Sequence, residues 1–291
     1  METKNEKNCC SSDCCSSNEQ EVKTIFETPT EIKKLVKEKY SQIAENIDEE
    51  VGCCSGSCCS SNAKDYSVFA DDYSKLEGYV KEADLGLGCG LPTEFADIKK
   101  GDTIVDLGCG AGNDVFIART FVGDEGKVIG IDMTEKMIEK AKANNLKLGF
   151  NNIEFRLGDI EDIPLRDNCA DVVVSNCVLN LVPDKSKAFS EISRVLKSGG
   201  HFCVSDIVLQ GEISDELRKD ATLYAGCISG ALQQEEYIKI IEDAGFSDIE
   251  IKKIKKIQLP EELLNQYPRE MEDFILGNKG IFSITVVGFK K

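Results

Sequence analysis

The sequence predicts an α/β fold built on a mainly parallel sheet, and three observations predict it. From about residue 93, strand-like and helix-like segments alternate along the chain, the pattern of successive βαβ units. The first of these strands runs into its helix through a glycine-rich turn, "VDLGCGAGND" at 105–114. The length of 291 residues, with 41% apolar residues, permits a core of one large domain or two ordinary ones.

The elements follow in chain order. Residues 1–20 are rich in Ser, Asn and Cys and poor in apolar residues, a composition that predicts a mobile arm. In "TEIKKLVKEKYSQIAENI", Ile32, Leu35, Val36, Ile43 and Ile47 recur at helical spacing, which predicts a helix over 30–47 with Thr30 as its cap. "KDYSVFADDY" reads as a short helix or loop, and "ADLGLGCGLP" closes this N-terminal part. Next come strand "TIVDLGC", helix "NDVFIARTFV", strand "KVIGIDM", amphipathic helix "TEKMIEKAKANNLKL" and strand "IEFRLGD". Strand "ADVVVSNCVL", helix "DKSKAFSEISRVL" and strand "GGHFCVSDIV" complete the alternating series. Beyond residue 211 a glycine-punctuated helical stretch leads to two strand-like runs, "DIEIKKIKKIQL" and "FSITVVGF". The expected division is a Cys-rich arm with one helix (1–64), an α/β domain (65–210) and a C-terminal α/β extension (211–291).

Composition narrows the function. The formal charge is −17, from 35 basic and 52 acidic residues, which argues against nucleic-acid and anionic-membrane partners. No export signal or apolar span is seen, so a reducing cytoplasm is expected. There, 14 cysteines point to soft-metal ligands or reactive thiols rather than a disulfide framework. His201 is the single histidine and is expected to be structural.

The glycine turn carries the first chemistry. Gly108, Gly110 and Gly112 lie between a strand and a helix, where backbone can approach a ligand at the helix N-terminus. Asp106 precedes them, and the absence of a following Lys excludes a triphosphate loop. Asp132 ends the second strand, placed to hold a ribose diol, and Asp159 follows the third, placed for an adenine amino group. These residues resemble the class I S-adenosylmethionine-dependent methyltransferases over roughly 93–210. That resemblance implies a Rossmann-like sheet with helices on both faces. It also implies cofactor binding by Asp106, Gly108, Gly110, Gly112, Asp132, Met133, Asp159, Ile160 and Asn176. A dinucleotide-binding oxidoreductase is the rival, but its third glycine would come one residue later.

Six cysteines lie outside the N-terminal region. Cys203 and Cys169 read as small buried hydrophobes, and Cys109 as a small residue in the glycine turn. Cys89, Cys177 and Cys227 sit in "GCGLP", "VSNCVLNLVPDKSKAFSEISRVLKSGG" and "AGCISGAL". Together these segments resemble the arsenite S-adenosylmethionine methyltransferases over about 33–250. The resemblance implies that Cys89, Cys177 and Cys227 bind trivalent arsenic, from arsenite or methylarsenite. It implies a thiol reductant, thioredoxin or glutathione, as co-substrate. Soft thiolates suit a soft centre, and arsenic's own lone pair makes a general base unnecessary. Where many eukaryotic relatives carry a tyrosine pair before the first cysteine, this chain has Gly86, Leu87 and Gly88. The alternatives are a same-fold methyltransferase for a small metabolite and a thiol-rich metal-sequestering protein.

One feature exceeds the core fold. "CCSSDCCSSN" at 9–18 recurs as "CCSGSCCSSN" at 53–62, with eight of ten positions the same. The second cassette, Cys53, Cys54, Cys58 and Cys59, resembles the family's additional N-terminal cysteines, and that resemblance makes it a further candidate for arsenic capture. The first, beginning at Cys9, has no counterpart there.

Overall fold

A computed structural model describes residues 28–46, 71–211, 228, 230–257 and 280–291. Both cysteine cassettes and Cys227 lie outside the described residues. Helix α1 (Pro29–Asn46) comes first, followed by two short 3₁₀ turns and the one-turn helix α2 (Pro92–Phe95). The alternating series then comprises β1 (Thr103–Leu107), α3 (Asn113–Val122), β2 (Lys127–Asp132), α4 (Glu135–Leu148) and β3 (Ile153–Leu157). It continues as β4 (Ala170–Asn176), α5 (Lys185–Val195) and β5 (Leu196–Gln210). The remaining elements are β6 (Leu232–Gln233), α6 (Gln234–Asp243), β7 (Phe246–Lys256) and β8 (Gly280–Lys290).

The strands form one sheet in the order β3-β2-β1-β4-β5-β8-β7, with β6 beside β5. Pairings among β1 to β5 are parallel, while β8 runs antiparallel to both neighbours. The C-terminal part therefore extends the same sheet, because β8 hydrogen-bonds to β5 from Gly280 to Phe289. Strand order reverses between β1 and β4, so a crevice opens outside their carboxyl ends, the usual ligand position in such sheets.

Alternation explains why both sheet faces are dry. Val105, Leu107, Val173, Phe202 and Val204 face a core closed by Phe189 and Ile192 of α5 and Tyr237 and Ile241 of α6. Ile104, Val128, Val172, Val174 and Cys203 face the opposite core, with Val115 and Phe116 of α3 and Ile138 of α4. Continuous apolar strands of this kind fit only a sheet covered on both sides. Cys203 is fully buried there and Cys169 packs against the first core, the packing roles expected of them. The His201 ring is also structural: Nε2 lies 2.6 Å from the Ala96 carbonyl oxygen, and the ring sits 5.0 Å from that of Phe289.

One buried acid gives stability a pH dependence. Asp206, on β5, accepts hydrogen bonds from the Ile207 N–H at 3.0 Å and the Tyr237 hydroxyl at 3.2 Å. Burial pushes its carboxyl up to about 7, against an ordinary value of 3.8. The folded state thus holds a proton that the unfolded chain releases between about pH 4 and 7. Its contribution is complete below that window and is lost as pH rises through it. Asp206→Asn is expected to raise stability at pH 8 by on the order of 1–4 kcal/mol, and to change it little at pH 4. Urea midpoints at the two pH values measure this, and an equal shift at both would refute the assignment.

Candidate functional site

The crevice at the strand reversal is a cleft of roughly 1050 Å³, including its open mouth. The ends of β1, β2, β3 and β4 deliver Asp106, Asp132, Asp159 and Asn176 to it, each at or within two residues of a strand terminus. Gly108, Gly110, Met133, Ile160 and Cys177 also line it. Residues spread over some 70 sequence positions converge because parallel strands all end on the same side.

The glycine turn is folded onto β2. The N–H groups of Gly108 and Cys109 both donate to the Ile131 carbonyl oxygen, at 2.7 and 3.0 Å. Asp132 secures the next residue: its Oδ2 accepts from the Gly110 N–H at 3.0 Å and its Oδ1 from the Thr134 N–H at 2.8 Å. Burial raises the Asp132 carboxyl against these bonds, which lower it.

Gly110 and Gly112 do different work. Gly110 has φ +51°, and a Cβ there would meet no atom within 4 Å. Gly112, at φ +100°, caps α3, and a Cβ would stand 3.0 Å from the Phe116 ring and 3.1 Å from Phe155. Gly112 is not among the residues lining the cleft. A side chain at this position would fall between helix and sheet, against those rings.

Two further acids define the electrostatics. Asp106 is nearly fully buried, and its carboxyl is pushed well up by burial, then by Asp114 and Asp132. Asp114, in the first turn of α3, is raised to about 6 by burial, against opposing hydrogen bonds from Asn176 and Tyr73. Asp106 Oδ2 and Asp114 Oδ1 are buried with no hydrogen-bond partner among the described residues. Both residues line the cleft, so an arriving cationic group would find two carboxylate oxygens to neutralise.

Asp159 is already engaged. Its Oδ1 accepts from the Glu161 N–H at 2.9 Å, and its Oδ2 pairs with Lys33 Nζ at 2.6 Å. Lys33 also pairs with Glu161 at 2.5 Å, and its burial penalty is outweighed by these two acids, which raise its ammonium. Through Lys33, Val36 and Tyr40, α1 forms one wall of the cleft.

The thiols lie together in an apolar cluster beside the cleft. Cys89 and Cys177 are buried in one apolar cluster with Val36, Leu181, Ile207, Leu209 and Ile228. Cys177 follows β4 directly and has φ +60°, a left-handed conformation uncommon outside glycine; its N–H donates to the Ser205 carbonyl oxygen at 2.7 Å. Cys177 lines the cleft, and Cys89 follows a lining residue, Gly88. Asn176 joins the two: its Oδ1 accepts from the Cys89 N–H at 3.0 Å, and its Nδ2 donates to the Gly90 carbonyl oxygen at 2.8 Å. The same Nδ2 also reaches Asp114 Oδ2 at 3.2 Å and the Tyr73 hydroxyl.

Sequence reading missed Asp114, Tyr73 and the α1 residues of the cleft. Asp114 had a visible signal, a fourth acid directly after the glycine turn. Tyr73 and Lys33 had none, since their roles rest on partners 41 and 126 positions away.

Comparison with known proteins places these features. A family model described as a methyltransferase domain matches residues 98–245. An arsenite methyltransferase of Halobacterium salinarum is 37% identical over 243 residues, covering 81% of this chain and 62% of that protein. One from Aquipseudomonas alcaligenes is 35% identical, over 70% of this chain and 58% of that protein. The chain thus spans about three fifths of the length of these curated relatives. Among solved structures, the arsenic(III) S-adenosylmethionine methyltransferase of Chlamydomonas reinhardtii superposes with a TM-score of 0.60 at 35% identity, covering 70% of this chain and 67% of that one.

Proposed function

The chain belongs to the methyltransferase domain family, and from that premise we propose that it transfers the methyl group of S-adenosylmethionine to trivalent arsenic held by Cys89, Cys177 and Cys227. One observation carries this reading: two buried thiols share an apolar cluster that opens onto the acid-lined cleft, one of them at the end of β4. Cys227 is included as the residue preceding Ile228, which is buried in that cluster. The likeness to arsenite methyltransferases supports the choice of substrate.

The cleft fits S-adenosylmethionine by its own chemistry. Asp106 Oδ2 and Asp114 Oδ1 are carboxyl oxygens without a hydrogen-bond partner among the described residues, and the cationic part of the ligand would favour their ionised form. Gly110 leaves its side of the cleft open, and Asp132 stands at the end of β2 where a ribose is held in this architecture. Met133, Ile160 and Asn176 complete the proposed contacts. When bound, S-adenosylmethionine supplies an electrophilic methyl group.

The chain's residues then have three tasks. The thiols exchange with arsenite's hydroxyls: each As–S bond forms as an As–O bond breaks, and the thiol proton leaves in water. Three sulfurs around the arsenic would leave its lone pair free to form the new As–C bond as the sulfonium S–CH3 bond breaks, its electron pair staying on the sulfur of departing S-adenosylhomocysteine, so no base is needed to remove a proton in that step. The apolar cluster of Val36, Leu181, Ile207 and Leu209 excludes water, and the fixed strand ends hold the alignment. Bond formation raises arsenic to the pentavalent state. Two electrons from a thiol reductant, glutathione or thioredoxin, return it to the trivalent state as that reductant forms a disulfide. We place this chemistry in the cytoplasm. No helix among the described residues is long and apolar enough to cross a membrane. The second cassette, Cys53, Cys54, Cys58 and Cys59, is proposed as an entry point for arsenite.

The test is reduced protein with arsenite, S-adenosylmethionine and a thiol, with arsenic products separated by chromatography. Methylated arsenicals are expected. Their absence from protein that binds S-adenosylhomocysteine would leave a methyltransferase for another acceptor.

The two glycines separate binding from folding. Gly110→Ala puts a methyl into the cleft and carries a left-handed backbone cost of about 1–2 kcal/mol. Gly112→Ala adds contact with Phe116 and Phe155 to a similar cost. Gly110→Ala is expected to lower S-adenosylhomocysteine affinity more than it lowers thermal stability, and Gly112→Ala the reverse. Calorimetric titration and thermal unfolding of both variants measure this, and equal losses in both would contradict it.

A further inference from the structure

Ser283 lies on the last strand of the chain, yet its hydroxyl reaches the loop before β1. Its Oγ donates to the Cys89 carbonyl oxygen at 2.5 Å, a contact between residues 194 positions apart. On the other side of the same residue, the Cys89 N–H donates to Asn176 Oδ1 at 3.0 Å. The peptide groups flanking Cys89 are therefore bolted to β8 on one side and to the end of β4 on the other.

The surrounding geometry makes this a deliberate seat. Ser283 is buried and stands beside Ile207 in the β5–β8 register, and Ile207 belongs to the thiol cluster. Next along, Ser205 and Thr285 pair through their hydroxyls at 2.8 Å. Gly90 rests on this ledge so closely that a Cβ would lie 2.5 Å from Ser205 Oγ. The Gly90 carbonyl oxygen accepts from Asn176 Nδ2 at 2.8 Å and from the Tyr73 hydroxyl at 3.0 Å. Cys177 is fixed independently, through its N–H to the Ser205 carbonyl oxygen. Both cysteine backbones are thus referred to the same strand pair.

We infer that Ser283 is a positioning residue for the arsenic site proposed above: with Asn176 it clamps Cys89 and sets where that thiol stands relative to Cys177. A soft ion that must meet several sulfurs at once gains most from thiols already placed, because ordering them is then not charged against binding. Because the Ser283 hydroxyl meets the Cys89 backbone, its loss is expected to fall on arsenic binding rather than on the nucleoside. β8 is thereby given a role in substrate binding beyond completing the sheet.

The test is steady-state methylation by the full-length chain, with arsenite and S-adenosylmethionine varied separately, for wild type, Ser283→Ala and Ser283→Thr. Loss of one hydrogen bond, worth about 0.5–1.5 kcal/mol, corresponds to a rise of about 2- to 10-fold in the KM for arsenite in Ser283→Ala. The KM for S-adenosylmethionine is expected to stay at the wild-type value, and Ser283→Thr, which keeps the hydroxyl, to restore the KM for arsenite. A variant that only loses stability would lower kcat and leave both KM values unchanged; that result overturns the inference. Loss of S-adenosylhomocysteine binding in Ser283→Ala also overturns it, because the hydroxyl would then support the fold at large. Failure of the wild type to methylate arsenite takes down the site reading, and the clamp with it.

Discussion

Cys177→Ser is expected to lower arsenite methylation by at least about 100-fold, the scale on which misalignment alone acts on a reacting group. Serine keeps the size and the left-handed backbone at φ +60° but exchanges a soft sulfur for a hard oxygen that arsenic holds weakly. The thiol stands where the end of β4 opens onto the cleft, so its loss removes the proposed arsenic ligand that itself lines the cleft. S-adenosylhomocysteine affinity should be retained within about threefold, well under the tenfold that 1.4 kcal/mol represents. Parallel rate and calorimetric measurements on the variant check both halves. Methylation near the wild-type rate would remove Cys177 from the chemistry.

The second large effect is on the other ligand. Asp132→Ala is expected to weaken S-adenosylhomocysteine binding by about 100-fold, from about 3 kcal/mol of charge-assisted hydrogen bonding. Its two oxygens hold the Gly110 and Thr134 N–H groups, so alanine both removes a ligand group and frees the glycine turn. Asp132→Asn keeps one acceptor oxygen and should fall between the two. Titration calorimetry decides the matter, and wild-type affinity in Asp132→Ala would show that the turn is held by β2 alone.

How much of this was legible in the sequence depends on the range of the interaction. The β-branched runs "IEIKKIKKI" and "FSITVVGF" were enough to read β7 and β8, because a strand's residue preference is local. They could not say that β8 would lie antiparallel beside β5, which is set by pairings across the whole chain. Likewise Ile32, Leu35 and Val36 foretold α1, but not that Lys33 would bridge Asp159 and Glu161 at the cleft. The acids at the ends of β1, β2 and β3 were legible because a strand followed by Asp or by glycine carries its own spacing signal. The glycine spacing was legible, but not that a Cβ at Gly112 would meet the Phe116 and Phe155 rings, which only the fold brings there. Ser283 looked like any polar residue in a strand, and only the fold brings it to Cys89.

The most direct measurement is a single turnover on a full-length chain whose eight cassette cysteines are replaced by serine, with methyl-labelled S-adenosylmethionine and equimolar arsenite. Labelled methylarsenical should form in this chain and disappear when Cys89 and Cys177 are also replaced. Label reaching arsenic without those two thiols, or no label reaching it while S-adenosylhomocysteine still binds, would contradict a methyl transfer to arsenic held at the ends of β4 and the Cys89 loop.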